Sequence, residues 1–301
     1  MKPRHDIYSS ITAQLVAAIE AGAGEWRMPW HHRGAPVMRP RSAAGRAYSG
    51  INRLVLWASA EARGFESGTW ATFQQWKSLD ARVRKGETGT HVILWKRQER
   101  DETATAEDTD RGGRFFARSF VVFNRSQVDG ADDEKEDVPP PMSERIADAK
   151  AFLEHAGVPV TFGLHDAYYR PDEDRIYMPA RSAFDSDEAM IATEGHELVH
   201  ATGHASRLAR DTLRDYHKER AIRAREELVA EIGASFLMAD LGLAYSPRPD
   251  HAAYVASWLK ALENDPRAIF RAAAAAQAAT DWIHSAVGAG TAVADPLPLA
   301  A

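Results

Sequence analysis

His196 and His200 stand four residues apart with Glu197 between them, in a chain of 301 residues that has no cysteine. On a helix, that spacing sends both imidazoles off one face, one turn apart, so both can bind a single Zn²⁺ at about 2.0–2.1 Å. Glu197 then points toward the open coordination position. There it can act as general base on a water whose pKa the ion lowers toward roughly 7. This is the chemistry of a zinc-dependent metallopeptidase. Without cysteine, thiolate sites are excluded and any further ligand must be His, Asp or Glu.

HExxH arises by chance in many proteins, so context decides. A catalytic zinc needs a third protein ligand, and the segment Glu226-Glu227-Leu228-Val229-Ala230-Glu231 offers one. Carboxylates inside an otherwise apolar helix are costly to bury unless paired or metal-bound. Glu227 and Glu231 share a face. Glu227 is the preferred ligand, with Glu231 one turn on to accept the free ring N–H of a zinc histidine; the reverse assignment stays open. Glu226 is expected to be exposed. A third histidine six residues after His200 is missing, because position 206 is Ser, so the metzincin pattern fails. His204 reads as a structural or substrate-side residue, and His217 and His251 as surface histidines. Arg207 and Arg210 could orient the loop or pair with acidic neighbours, and no chemistry is assigned to them. A His/His/Glu set accepts Mn²⁺ or Co²⁺ as well as Zn²⁺.

These residues must be positioned by helices, and the pattern supplies them. Asp187 and Glu188 lead the HExxH helix, and a second long helix runs from about Tyr216 to Leu241, stopping at Gly242. Before them, Ser143 reads as the cap of a helix to His155. Strands over Ala167–Arg170 and Arg175–Met178 are joined by the turn Pro171–Asp174. Tyr169 to Pro179 could offer an edge strand to an extended peptide, or be an ordinary hairpin. Helices around Asp250–Glu263 and Pro266–Ala286 finish this half. Upstream, helices are expected over Tyr8–Ala21, Ile51–Ala62 and Thr72–Leu79, with strands at His91–Lys96 and Arg118–Asn124. Both halves are α+β.

The acidic, then proline-rich segment 131–142 divides the chain into domains at 1–130 and 143–290, with a tail at 291–301. Either half is long enough to bury its own core, and the linker length permits independent motion. Residues 1–100 carry 16 Lys+Arg against 8 Asp+Glu, whereas residues 131–301 carry 17 against 29. A basic front half suits a polyanion. Six of the eight tryptophans (26, 30, 57, 70, 76 and 95) fall in it. Rings interleaved with cations are what single-stranded nucleic acid requires, at roughly 1–3 kcal/mol per stacked base. Trp57, beside Leu54 and Val55, reads as core. Trp26, Trp30, Arg46, Tyr48, Asn52, Arg82, Arg84 and Lys85 are the expected contacts. No leader or membrane segment is evident, so a cytoplasmic location is expected.

Several motifs in one order carry a resemblance. Tyr8, Trp26-Arg-Met-Pro-Trp30, Tyr48-Ser-Gly-Ile-Asn52, Trp70-Ala-Thr-Phe73, Val83 to Gly89 and Val122-Phe-Asn124 with Gln127 resemble the N-terminal domain of the ArdC antirestriction proteins. Asp174 to Pro179, the HExxH run, Thr202-Gly-His204 with Arg207-Leu208, and Glu226 to Glu231 are similar to that family's zincin-like domain. The Arg/Ala-rich stretch 39–47 departs from the family's usual asparagine. The resemblance implies a single-stranded-DNA-binding front domain and a metallopeptidase-like back domain, in proteins that protect incoming plasmid DNA from restriction. A protein substrate in the restriction or DNA-processing machinery would follow. Two other readings stay open: a DNA-binding shield with a structural or regulatory metal, and a peptidase whose front domain recruits a non-DNA substrate.

Overall fold

The computed structural model describes residues 7–23, 39–97, 115–131, 140–245 and 252–294. The front half runs α1 (Ile7–Ala23), β1 (Arg41–Ser42), α2 (Ile51–Arg63), β2 (Thr69–Ala71), α3 (Phe73–Ser78), β3 (Arg82–Val83), β4 (Thr90–Arg97), β5 (Phe115–Asn124) and β6 (Val128–Asp129). Four strands form one sheet in the order β1-β2-β5-β4, and β3 pairs with β6. The long antiparallel β4–β5 pair sets Thr90 opposite Val122 and Arg97 opposite Phe115. The expected helices and strands are all present, with ends fixed by local chemistry. Gly64 closes α2 in the left-handed conformation, and Thr72 and Gln75 form a capping box on α3.

The back half runs α4 (Met142–His155), β7 (Val160–Leu164), β8 (Tyr168–Arg170), β9 (Arg175–Pro179), α5 (Asp187–Thr202), α6 (Asp211–Arg214), α7 (Arg220–Asp240), α8 (Ala252–Asn264) and α9 (Ala268–Ala294). Three details correct the sequence reading. The Pro141 carbonyl, rather than Ser143, opens α4 by accepting the N–H groups of Glu144 and Arg145. The sheet order is β7-β9-β8, with the unanticipated β7 parallel to β9. Arg175–Pro179 is therefore the central strand, and of the expected hairpin only β8 lies at an edge. Third, α7 begins at Arg220, because Glu219 before it is extended; Tyr216 lies in the preceding turn with its hydroxyl on Glu227. Helix α9 continues through Ala294, into the segment expected to be tail.

The two halves share a core. Ile11, Leu15 and Ile19 of α1 and Leu54, Val55 and Trp57 of α2 belong to one buried cluster with Phe236, Trp258, Phe270 and Ile283. Polar bonds cross the same boundary: Thr12 Oγ1 donates to the Pro266 carbonyl at 2.5 Å, and the Gly50 N–H to Gln277 Oε1 at 3.0 Å. Most telling is Arg53, fully buried on α2. Its Nη2 donates to the Phe236 carbonyl and to Asp240 Oδ1, both at 2.8 Å. Its guanidinium lies 4.8 Å from the Trp57 ring centroid and 4.6 Å from that of Phe236. The expected freedom between the halves is therefore absent at this interface, because separating them would expose apolar faces and strip a buried guanidinium of its counter-charge. Burial lowers the Arg53 pKa to about 10 even though Asp240 opposes the shift.

What brings the site residues together is the contact between α5 and α7. Helix α5 is capped by Ser186, which accepts the Ala189 N–H, and carries Asp187 and Glu188 where the helix dipole favours them. From Met190 to Thr202 it is buried on every side. A Cβ at Gly233 of α7 would lie 2.8 Å from both γ carbons of Val199, so the two helices approach more closely than any side chain at 233 allows.

Two outcomes follow for stability. Asp240→Ala leaves Arg53 buried without its partner and should lower the unfolding free energy by about 3–5 kcal/mol in urea titrations. Burial raises the Asp240 pKa, but His284, Arg53 and Arg39 outweigh it and hold the carboxyl below its ordinary 3.8. This contribution is then present above that value and lost as pH falls through the depressed one, so Asp240→Asn should flatten the acid limb of a stability–pH curve. Gly233→Ala should destabilise by about 1–2 kcal/mol, overpacking outweighing the helix-propensity gain, and Val199→Ala should restore part of the loss in the same titration.

Candidate metal centre

Three donor groups converge between α5 and α7. His196 and His200 place their Nε2 atoms 3.2 Å apart. Glu227 brings Oε2 to 3.5 Å from His196 Nε2 and Oε1 to 3.7 Å from His200 Nε2. Three ligands of a tetrahedral ion at 2.0–2.1 Å stand roughly 3.3 Å apart from one another, so these spacings fit a small divalent cation. His196, His200 and Glu227 are also the cluster of metal-ligating side chains found among the described residues. All three are buried, and burial of this kind is tolerated where charge is balanced.

The remaining carboxylates of α7 approach the outer edges of the imidazoles. Glu226 Oε1 lies 3.2 Å from His200 Nδ1, and Glu231 Oε2 lies 3.8 Å from His196 Nδ1. Glu231 also accepts the Tyr245 hydroxyl at 2.9 Å. Glu226 at His200 Nδ1 favours a proton on that side, which leaves the His200 Nε2 lone pair facing His196 Nε2 and Glu227; Glu231, at 3.8 Å, is too far from His196 Nδ1 for a hydrogen bond. Converging lone pairs repel unless a proton or a cation stands between them.

Electrostatics agree with the geometry. Burial pushes the Glu227 carboxyl up, but His196, His200 and the Tyr216 hydroxyl outweigh it and hold the group well below the usual carboxylate range. Glu226 is likewise pushed up by burial, yet His200 and Arg210 bring it down to about 2. Burial lowers the His200 pKa, and the surrounding Glu226, Glu227 and Glu197 more than reverse that.

The expected exposure of Glu226 is wrong: none of it is accessible. Arg210 reaches both of its oxygens, Nη2 to Oε1 at 2.6 Å and Nε to Oε2 at 3.2 Å, and Thr212 adds its hydroxyl. Arg207 forms a two-pronged pair with Asp174 at 2.7 and 2.8 Å, and Asp174 also accepts the Tyr169 hydroxyl. That clamp ties the β8–β9 turn, where Asp174 has φ +47°, to the loop after α5.

A cavity of about 990 Å³ opens over these groups. Glu197, His196, His200 and Glu227 line it, with Tyr168 to Arg170 of the edge strand along one side. His204 lines it too, its Nδ1 2.8 Å from Ser206 Oγ, as do Tyr216 and His217. His217, although exposed, therefore stands at the cavity and not on a remote surface. His251 lies outside the described residues.

The tryptophans of the front half and the expected nucleic-acid contacts differ in burial and in what already engages them. Trp57 is core as anticipated, but Trp70 and Trp76 are buried as well, and the Trp76 indole donates to the Phe123 carbonyl at 3.0 Å. They fill the space under a small sheet and offer no stacking face. Asn52 spends its amide on both backbone groups of Ile93, at 2.7 and 2.8 Å, and Tyr48 is half-buried against the cluster around Trp70. Arg84 is exposed but engaged with Glu87 at 2.9 Å and with the Ser126 carbonyl. Arg46, Arg82 and Lys85 are exposed. Trp26 and Trp30 lie outside the described residues, as does the ring of Trp95.

Comparison with known proteins converges on one family. The family model for the N-terminal domain of anti-restriction factor ArdC matches residues 5–123, and that for a zincin-like metallopeptidase matches residues 147–275. The chain is 45% identical over 290 residues to the uncharacterized protein y4eC of Sinorhizobium fredii, covering 93% of this chain and 92% of that one. It is 35% identical over 308 residues to a DNA primase TraC of Escherichia coli, of whose length it spans only 27%. The crystal structure of the antirestriction ArdC protein from plasmid R388 superposes with a TM-score of 0.78 in its metal-free form, at 34% identity, covering 94% of this chain and 98% of that one. Its Mn(II)-bound form gives 0.77 at 35% identity, with the same coverage. By fold, by sequence and by the order of its two domains, the chain belongs to the ArdC family of antirestriction proteins and carries a zincin-like domain.

Proposed function

We propose that this protein is a DNA-associated antirestriction factor whose back domain is a zinc-dependent peptidase. The observation that carries the peptidase reading is the convergence of His196, His200 and Glu227 beneath a cavity that Glu197 also lines. In this reading His196, His200 and Glu227 hold the ion, and Glu231 stands on the Nδ1 side of His196. When bound, the ion supplies a Lewis acid that acidifies water and polarises a carbonyl. Glu197 takes the proton from the attacking water and delivers it to the departing amine. The edge strand β8 gives an extended peptide main-chain partners beside these groups. Zinc suits a buried set of two imidazoles and one carboxylate; Mn²⁺, present in a crystal form of the R388 relative, and Co²⁺ suit it too.

The front domain is proposed to hold single-stranded DNA of an incoming plasmid. Support comes from family membership and from the basic excess of residues 1–100, with Arg46, Arg82 and Lys85 exposed on the described surface. With Trp70 and Trp76 in the core, phosphate contact carries more of the affinity than the tryptophan count implies, and Trp26 and Trp30 remain the proposed stacking rings. A substrate in the restriction or DNA-processing machinery, and a cytoplasmic location, complete the proposal. Among the described residues no helix is long and apolar enough to cross a membrane.

Three expected outcomes test it. Glu197→Gln should retain one bound Zn²⁺ per chain while hydrolysis of a denatured protein substrate falls by at least about 100-fold. Glu227→Gln should weaken Zn²⁺ binding in chelator competition. A wild-type chain that hydrolyses no protein substrate, with antirestriction protection unchanged by Glu197→Gln, would leave the shield reading in its place. For DNA, the intact chain should bind a fluorescent single-stranded oligonucleotide with affinity that falls steeply with salt. Arg82→Ala with Lys85→Ala should reduce the salt slope by roughly 1–2, whatever the oligonucleotide sequence. The intact chain is required, since residues 1–130 alone would expose the faces of α1 and α2.

A further inference from the structure

Glu226 is a fully buried carboxylate next in sequence to the proposed ligand Glu227, and the peptidase reading above gives it no task. It cannot join the ligands from where it stands, because its oxygen meets His200 at Nδ1, on the side of the ring away from the converging Nε2 atoms. What surrounds it is a built framework. The Arg210 guanidinium spans its two oxygens and reaches on to the Val199 carbonyl at 2.7 Å and the Thr202 hydroxyl at 2.6 Å. Arg210 thus joins the carboxylate to the last turn of the helix that carries His200. Gly203 makes room for it: a Cβ there would lie 2.8 Å from Arg210 Nη2. Thr212 fixes the second oxygen.

We propose that Glu226 is a positioning residue of the metal centre, clamped by Arg210 and Thr212 so that it holds His200 with a proton on Nδ1 and the Nε2 lone pair facing the ion. An imidazole ring that must ligate through Nε2 otherwise loses affinity to the competing tautomer and to rotation about its side-chain bonds. A carboxylate at Nδ1 removes both losses and makes the ring a stronger donor. Arg210, bonded to both oxygens of Glu226, fixes the orientation of that carboxylate in a buried place. The bland alternative is an ion pair that only fastens α7 to the loop after α5. That alternative predicts lost stability without a change in metal affinity.

The inference rests on the metal-site reading, and the test separates the two. Zn²⁺ affinity of the intact wild-type chain, of Glu226→Gln and of Asp240→Asn would be measured by chelator competition, with stability followed in parallel. Asp240→Asn, remote from the site, reports what lost stability does by itself. Glu226→Gln should bind Zn²⁺ about 10–100-fold more weakly than wild type, and Asp240→Asn within about threefold of it. Equal affinities for wild type and Glu226→Gln, or equal losses in both variants at equal stability, would overturn the proposal. A wild-type chain that binds no metal would overturn the underlying site reading instead. Should Glu226→Gln fail to fold, ¹⁵N-resolved histidine NMR of the metal-free wild-type chain at alkaline pH decides: a His200 proton on Nδ1 is expected, and one on Nε2 contradicts it.

Discussion

The candidate metal centre depends on the approach of α7 to α5 at Gly233 and Val199. Two histidines on one helix provide only two ligands. The third has to come from a second helix, at a distance fixed to within a few tenths of an ångström. Gly233 lets the α7 backbone settle onto the Val199 side chain, and one and a half turns earlier Glu227 then reaches both imidazoles. The same approach buries Glu226 and Glu231, so three carboxylates of one helix enter the interior together. Such a concentration of negative charge is tolerable only because histidines, Arg210 and the Tyr216 and Tyr245 hydroxyls meet it.

The far end of α7 meets a different constraint. Asp240, in its last turn, neutralises Arg53 of α2, and Asn52 beside it pins the backbone of Ile93 on β4. A continuous run of packed and hydrogen-bonded groups therefore links the front sheet to the helix that carries Glu227. The acidic segment 131–142 joins two bodies that share one apolar core, whatever its own length.

Much of this was legible in the sequence because its signals are local. The HExxH spacing, the acidic pair Asp187 and Glu188 that leads its helix, the stop at Gly242 and the apolar runs of β4 and β5 all act within a few residues. Glu226 was misjudged because the helix was read for a single polar-into-core pair, Glu227 and Glu231. Yet Glu226 heads its own stripe of Ala230, Gly233 and Leu237, all buried, at the spacings of a helix face. Read that way, the residue belongs to the interior. The tryptophans mark a different limit. Composition cannot tell a stacking ring from a core ring, and Trp70 and Trp76 lie on short elements whose burial depends on a sheet formed with β5, some fifty residues away in sequence. The shared core was invisible for a similar reason: the faces of α1 and α2 read as amphipathic, but nothing in a periodicity names the partner.

X-ray absorption spectroscopy of the Zn²⁺-loaded chain decides whether two imidazoles and one carboxylate form a single cation site. A single site gives a shell of nitrogen and oxygen donors at about 2.0–2.1 Å with the outer-shell scattering of two imidazole rings. A shell of oxygen alone, without imidazole scattering, would contradict it.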